Sequence, residues 1–494
     1  MPRLAPSLFR RAGRISAHLA TLLPSCRTIE AAQAELRWIR RHALDTYRAQ
    51  TEAGTQRDGD ALSPRNRQDL PRARAGTRKR GPNPGSGAGR TRLEAAEDRV
   101  ARLVARRGAG EPLQYVLGSQ PFGDLEILCE KGVLIPRPET EAWAAMLADL
   151  VLSSPLRGEG EGEGEGEGGG GGGGGGGGLR ILDLCSGTGC IGLSLYARCM
   201  AGLGRGGDQE TAKAHPPLRV FGFDVEPRAV RLATRNLAHN FRGSRLDPCL
   251  NHHGGFAAGA GEGAATFRRA DIFTDEWVAY LDEAKPLQYA DGDKGDQAGR
   301  VDVLVSNPPY ITQRGFEVDT GRSVRNYEPK IALVPARAPS SFPTAPPFAA
   351  PRLERTTTCA PEDIFYERLL DVADTLRPRI AVFEVGDMKQ AIRVVEMAVA
   401  RSRPQHRHDP DNPQKGGGDE PRGQTVARWD VLEIWRDWPD CQPSDAEADV
   451  VLVGGREVPV RGSGHGRVVF LVEGRMVWNR FTNRGFRREV YTAS

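Results

Sequence analysis

The sequence predicts an α/β fold: a mostly parallel, seven-stranded sheet covered by helices on both faces, preceded by a small N-terminal helical domain. Three observations carry it. From residue 179 onward, short and nearly continuous apolar runs alternate with helix-forming stretches, the pattern of strands buried on both faces. Before residue 119 the periodic segments are helical. Gly 60 and Pro 35 among 494 residues, with only 39% hydrophobic, mean that a sizeable part of the chain is filler without core-forming side chains.

Residues 1–29 hold five Arg and no acid, the composition of a mitochondrial transit segment; the competing reading is the first basic helix of a helical domain. Residues 28–49 read as a helix. A Gly/Pro/Arg/Asp-rich stretch over 51–90 reads as a disordered insert. A second helix from 91 places Leu93, Ala96, Val100, Leu103 and Val104 on one face and stops near Gly108. Together these give a helical domain over 30–118. Residues 119–152 read as a hairpin, with strands near 121–129 and 132–135, and a linker helix from Glu139 to Leu152. A Gly/Glu low-complexity insertion fills 153–178, with no side chains to bury.

Over 179–494 strands are expected at 179–185, 218–225, 265–273, 301–307, 379–386, 428–435 and 467–474. Helices are expected at 190–200, 227–240, 362–376 and 388–400. The last two strands should form an antiparallel hairpin across a polar insert. The stretches 200–217, 242–264, 284–299, 336–360, 402–426 and 440–464 read as insertions.

A net charge of +4, from 68 basic and 64 acidic residues, argues against a dedicated nucleic-acid binder. Eight scattered cysteines form no CxxC pair, so neither a metal site nor a disulfide framework is expected. No apolar run is long enough to span a membrane. A monomer is expected.

Chemistry-bearing residues fall at successive strand ends, where ligands of open α/β sheets bind. After the first strand, "DLCSGTGC" places Asp183 on the strand and Cys185, Ser186, Gly187, Thr188 and Gly189 in a small-residue turn opening a helix. Such a turn lets a ligand approach backbone N–H groups, although a tight strand–helix turn alone explains it too. The second strand ends in Asp224, where a carboxylate can take ribose hydroxyls. The third supplies Asp271 and Ile272, with Asp271 equally readable as a cap. The fourth ends in Asn307, Pro308, Pro309 and Tyr310. Asn307 offers an acceptor and a donor, the prolines bring carbonyls without N–H groups, and Tyr310 supplies an aromatic wall. The set matches a planar group bearing an NH₂: an amide, or the exocyclic amine of a base.

The order of these motifs resembles the Rossmann-like class I S-adenosylmethionine-dependent methyltransferases. That resemblance implies that Cys185–Gly189 hold the methionine part of the cofactor, Asp224 the ribose, and Asp271–Ile272 the adenine border. Cys185 departs from the glycine that many members carry. "IPRPETE" (135–141), "SNPPYI" and "RNYEPKIAL" together resemble the HemK/PrmC family, the glutamine-N5 methyltransferases of translation release factors. The family implies a release-factor glutamine in a Gly-Gly-Gln loop as substrate, recognised with help from the helical domain. It also implies Asn307, Pro308 and Tyr310 as catalytic residues, with Pro309, Arg137 and Glu139 lining the approach. An Arg–Glu structural pair explains the last two nearly as well, and Glu328 would organise the substrate loop. With the Arg-rich start, a mitochondrial release factor is the expected partner. A DNA adenine-N6 methyltransferase is the rival enzyme, and a degenerate binding module the non-enzymatic one.

Overall fold

The computed structural model of the chain describes residues 4–60, 87–153, 179–204, 218–241, 265–283, 301–335, 359–401, 403–404, 425–426 and 428–473. It divides into two compact units, the first reaching Ser119 and including Gly321–Tyr327, the second comprising Gln120–Thr320 and Glu328 onward.

The first unit is helical: α1 (Pro6–Ile15), α2 (Ala17–Cys26), α3 (Ile29–Asp60), α4 (Gly87–Gly108) and α5 (Leu113–Leu117). Ser16 separates the first two, and its Oγ accepts the N–H of His18 at 3.2 Å, an N-cap for α2. Ala12, Leu19, Leu22 and Leu23 pack with Leu36 and Ile39 of α3 and Val100 and Val104 of α4. The stretch with transit-segment composition therefore contributes five buried side chains to this core, Ile29 being the fifth. Ala96, Val100, Leu103 and Val104 are buried as their spacing predicts. Both long helices run into the expected insert, α3 to Asp60 and α4 from Gly87. Extending a formed helix adds one bond per residue fixed, whereas starting one is costly. The rest of that insert, 61–86, lies outside the described residues. The unit also holds α11 (Arg322–Tyr327), which follows α9 (Ala279–Glu283) and α10 (Gln313–Val318) of the second unit in sequence; its Ser323 Oγ donates to the Gly110 carbonyl at 2.7 Å.

The second unit starts with the hairpin β1 (Ser119–Phe122) and β2 (Leu125–Leu128). Its second strand comes earlier than expected and 132–135 is not a strand, because Gly123, at φ 58°, turns the chain directly before Asp124. The main sheet runs, edge to edge, β11 (Val450–Val453), β12 (Arg456–Arg461), β10 (Val431–Trp438), β13 (Ser463–Val472), β7 (Ile380–Glu384), β6 (Val303–Ser306), β3 (Leu179–Leu184), β4 (Leu218–Asp224) and β5 (Ala265–Arg269). Its parallel strands are β3, β4, β5, β6 and β7. Next comes β13, antiparallel to β7 and to β10.

Side chains alternate between the two faces of each strand, and both faces are covered. Ile181, Val220 and Val305 meet α6 (Pro138–Ser153), α7 (Cys190–Gly204) and α8 (Pro227–Phe241). Leu182, Leu304 and Phe383 meet α12 (Ile364–Leu376) and α13 (Met388–Ala400). Strand order reverses beside β3, with β4 on one side and β6 on the other. Such a switch point is where open α/β sheets bind ligands, beyond the carboxyl ends of the strands.

The sheet has nine strands, not seven. The presumed insertion 440–464 contains β11 and β12, joined through Gly454 and Gly455 at φ 56° and 80°. Two positive-φ glycines between β-branched runs make a tight hairpin, and β12 extends the sheet by pairing in parallel with β10. The two-residue strands β8 (Arg403–Pro404) and β9 (Thr425–Val426) pair inside another expected insertion. The other insertions, and the Gly/Glu tract from 154 to 178, lie outside the described residues apart from a few flanking positions. Among the described residues no helix is long and apolar enough to cross a membrane, no acid/His/Cys group could hold a metal, and seven cysteines are free.

Candidate active site

At the end of β3 the chain turns sharply. Cys185 sits at φ 61° and Gly187 and Gly189 at 55° and 77°, so a side chain at 185 is tolerated in a conformation that favours glycine. Phe267 of β5 fills the space beside Gly189 and Gly222, where an added Cβ would stand 2.8 Å and 2.3 Å from its ring. At Gly187, by contrast, nothing lies within 4 Å of that position, leaving room for a ligand above the loop. Asn236 of α8 secures the turn from behind, donating to the Thr188 carbonyl at 3.0 Å and accepting the Leu128 N–H at 2.7 Å.

Two carboxylates flank this loop. Asp224, ending β4, accepts the N–H of Gly187 at 2.8 Å on one oxygen and of Glu226 at 2.9 Å on the other. Burial raises its pKa, opposed by these two hydrogen bonds. Asp183 is fully buried, with Oδ2 accepting the Gly192 N–H at 3.0 Å. Burial, the main cause, pushes its carboxyl up to about 7, with the charge of Asp224 adding to it. Asp183 Oδ1 and Ser186 Oγ are buried and without a protein hydrogen-bond partner among the described residues. A polar ligand above Gly187 would satisfy such atoms.

β6 stops at Ser306, whose Oγ donates to the Leu184 carbonyl at 2.7 Å. Two prolines follow and cannot continue the ladder. Ser306 is in register with Leu184 and with Phe383, so Asn307 stands at the level of Cys185 and Glu384. Pro308 and Pro309 are buried, and Asn307 and Tyr310 are half-buried. Tyr310 donates its hydroxyl to Glu384 Oε1 at 3.2 Å, and burial first, then the nearby Glu384 charge, drives its pKa upward.

"IPRPETE" lies at the entry to α6, with Pro138 and Glu139 in its first turn. Arg137 pairs with Glu328, not Glu139: its Nη2 reaches the two carboxylate oxygens at 2.9 Å and 3.0 Å. Glu328 Oε2 also accepts the Ile135 N–H at 3.1 Å, tying "NYEP" to "IPRP". Glu139 is half-buried. β5 ends two residues before Asp271, which is exposed and whose Oδ1 caps the Phe273 N–H at 3.0 Å. Ile272 is buried against the α12/α13 side of the core.

No protein-family model matches the chain. Curated relatives do. The mitochondrial MRF1 N(5)-glutamine methyltransferase MTQ1 of Saccharomyces cerevisiae is 27% identical over 68% of this chain and 68% of its own length. A probable MRF1 mitochondrial N(5)-glutamine methyltransferase of Schizosaccharomyces pombe is 29% identical over 49% of this chain and 58% of its own. The release factor glutamine methyltransferase of Geobacter sulfurreducens is 29% identical over 47% and 52%. The chain is similar to the glutamine methyltransferases of release factors, as its HemK/PrmC-like motifs imply. It spans little more than half the length of the last two relatives. Among solved structures, a Mettl16 catalytic domain bound to an RNA hairpin covers 75% of this chain and 80% of its own at 11% identity, with a TM-score of 0.33; that likeness is too low to add to the sheet order.

Sequence reasoning missed the polar residues behind this family's signature: Thr140, Trp143, Asn236 and Glu384. Glu384 carried a usable signal, a lone carboxylate closing the apolar strand "IAVFE", at the kind of strand end where ligands bind.

Proposed function

We propose that the chain methylates N5 of the glutamine in the Gly-Gly-Gln motif of a translation release factor, with S-adenosylmethionine as methyl donor. What supports this most is the placement of Asn307 and Pro308 at the switch point, level with the Cys185–Gly189 loop. The buried, unpaired Asp183 Oδ1 and Ser186 Oγ and the open space at Gly187 fit a polar cofactor there. Cys185–Gly189 would hold its methionine part, Asp224 its ribose through lone pairs left by the Gly187 and Glu226 bonds, and Asp271–Ile272 border its adenine. When bound, the cofactor supplies a methyl on a positively charged sulfur.

Asn307 Oδ1 and the Pro308 carbonyl accept the two N–H groups of the substrate amide. Pro309 stiffens that turn, and Tyr310, tied to Glu384, walls one side. Held this way, the amide nitrogen turns its lone pair along the line of displacement, and orientation in a dry site supplies most of what the reaction needs. Transfer would form an N–CH₃ bond as the S–CH₃ bond breaks, and the nitrogen would lose its proton afterwards to solvent readmitted to the site, so a strong base is not required. Arg137 and Glu139 border the approach, Arg137 by holding Glu328.

The helical unit is assigned to recognition of the release factor. A mitochondrial location is supported by the two yeast relatives and by the acid-free, Arg-bearing start. The near-neutral charge balance disfavours DNA as substrate. Incubation with methyl-labelled cofactor, a mitochondrial release factor, its Gly-Gly-Ala variant and duplex DNA tests the activity. Label is expected only in the intact Gly-Gly-Gln protein; label in DNA alone would sink the proposal. Tracking a fusion of residues 1–40 in cells tests the compartment, and a cytosolic signal would remove it.

A further inference from the structure

We propose that Glu384, acting through Thr140, sets which end of the Asn307 amide faces the substrate. This rests on the methyl-transfer reading above. Glu384, at the tip of β7, is 1% exposed, and Thr140 and Trp143 of α6 are fully buried beside it. Thr140 Oγ1 donates to Glu384 Oε2 at 2.6 Å, and Trp143 Nε1 donates to the same oxygen at 2.9 Å. Asn307 Nδ2 lies 3.4 Å from Thr140 Oγ1.

The direction of this chain follows from the donors. An indole N–H can only donate, so Oε2 accepts from Trp143, and in ionised Glu384 it can only accept from Thr140 as well. A hydroxyl carries one proton, and that of Thr140 is committed to Oε2. Thr140 therefore meets Asn307 with lone pairs alone and accepts the NH₂ end. The opposite flip would set Oδ1 against those lone pairs. With Nδ2 turned to Thr140, Oδ1 is left for the substrate, where an acceptor is needed for an incoming N–H. The reversed amide would present donors to a donor. Glu384 and Thr140 are thus positioning residues, while Asn307 touches the substrate.

Three variants of the full chain test the relay: Thr140→Val, which keeps shape and removes the hydroxyl; Thr140→Ser, which keeps it; and Glu384→Gln. In the last, Trp143 holds the amide oxygen on its own side, so the relay survives. Thr140→Val should lower kcat roughly tenfold or more, with KM for the methyl donor unchanged, as expected for lost orientation. Thr140→Ser and Glu384→Gln should stay within about threefold of the parent, by the same reasoning. In protein labelled with ¹⁵N-asparagine, the Asn307 side-chain resonance, assigned by its loss in Asn307→Asp, should move in Thr140→Val and not in Thr140→Ser. The relay is overturned if Thr140→Val keeps parental kcat, if Thr140→Ser falls as far as Thr140→Val, or if the resonance stays put in Thr140→Val. Should the parent methylate no release factor, the functional reading fails by itself, and the resonance still decides the relay.

Discussion

At Asp183 the proposed cofactor loop and the stability of the fold meet. Its carboxyl is pushed up to about 7 in the folded chain, chiefly by burial, and returns to the ordinary carboxylate value on unfolding. The folded state therefore binds more protons between about pH 4 and about pH 7. The stability from a protonated Asp183 is complete below that window and is lost as pH rises through it. Asp224 and Glu384, whose pKa values burial also raises, add in the same direction. Asp183→Asn should flatten the dependence, so its urea midpoint should fall less than the parent's between about pH 5 and about pH 8. An unchanged slope would contradict the assigned burial effect. At Asn307 the expected result is kinetic: Asn307→Ala should cut turnover far more than cofactor affinity, since it removes alignment of the nucleophile. Equilibrium dialysis beside initial rates checks this, and a parallel loss of cofactor binding would contradict it.

Between elements, the Arg137–Glu328 pair joins the entry of α6 to "NYEP". The Glu328 carboxylate is nearly fully buried while Arg137 is partly exposed, so losing the cation leaves a desolvated acceptor behind. Arg137→Ala should cost about 1–3 kcal/mol in urea unfolding, the penalty of an orphaned buried group; Arg137→Lys should recover part of it. The sequence marked Arg137 and Glu328 but could not pair them, because 191 residues separate them. The parallel strands were legible because most are apolar along most of their length and end in a turn; β5, "ATFRR", is not, and its end was expected four residues too late. The β11–β12 hairpin was not, since "VVLVGGREVPV" sits among polar residues that masked its alternation, although Gly454–Gly455 was a readable turn. Thr140 stayed hidden for a simpler reason: a buried hydrogen-bonded polar residue leaves no periodic signature.

For the whole molecule, the leading segment matters most. Ala12, Leu19, Leu22 and Leu23 are part of the helical unit's core, so a chain beginning at residue 30 should expose the apolar faces of α3 and α4. Limited proteolysis is expected to degrade the helical unit of that shortened chain while the α/β unit persists; equal resistance in both forms would show that the first helices are dispensable. Composition alone does not separate a transit segment from a first helix, because amphipathic, arginine-bearing helices serve both purposes.

β11 is one edge of the nine-stranded sheet, and on it Leu452 is 72% exposed and Val450 42%. An edge with apolar side chains and an open ladder can recruit a strand from another molecule. The consequence is practical: in concentrated solution the protein should self-associate slowly through this rim. Leu452→Lys should delay the rise in light scattering without altering methyl transfer, and scattering that rises as before would place the sticky surface elsewhere.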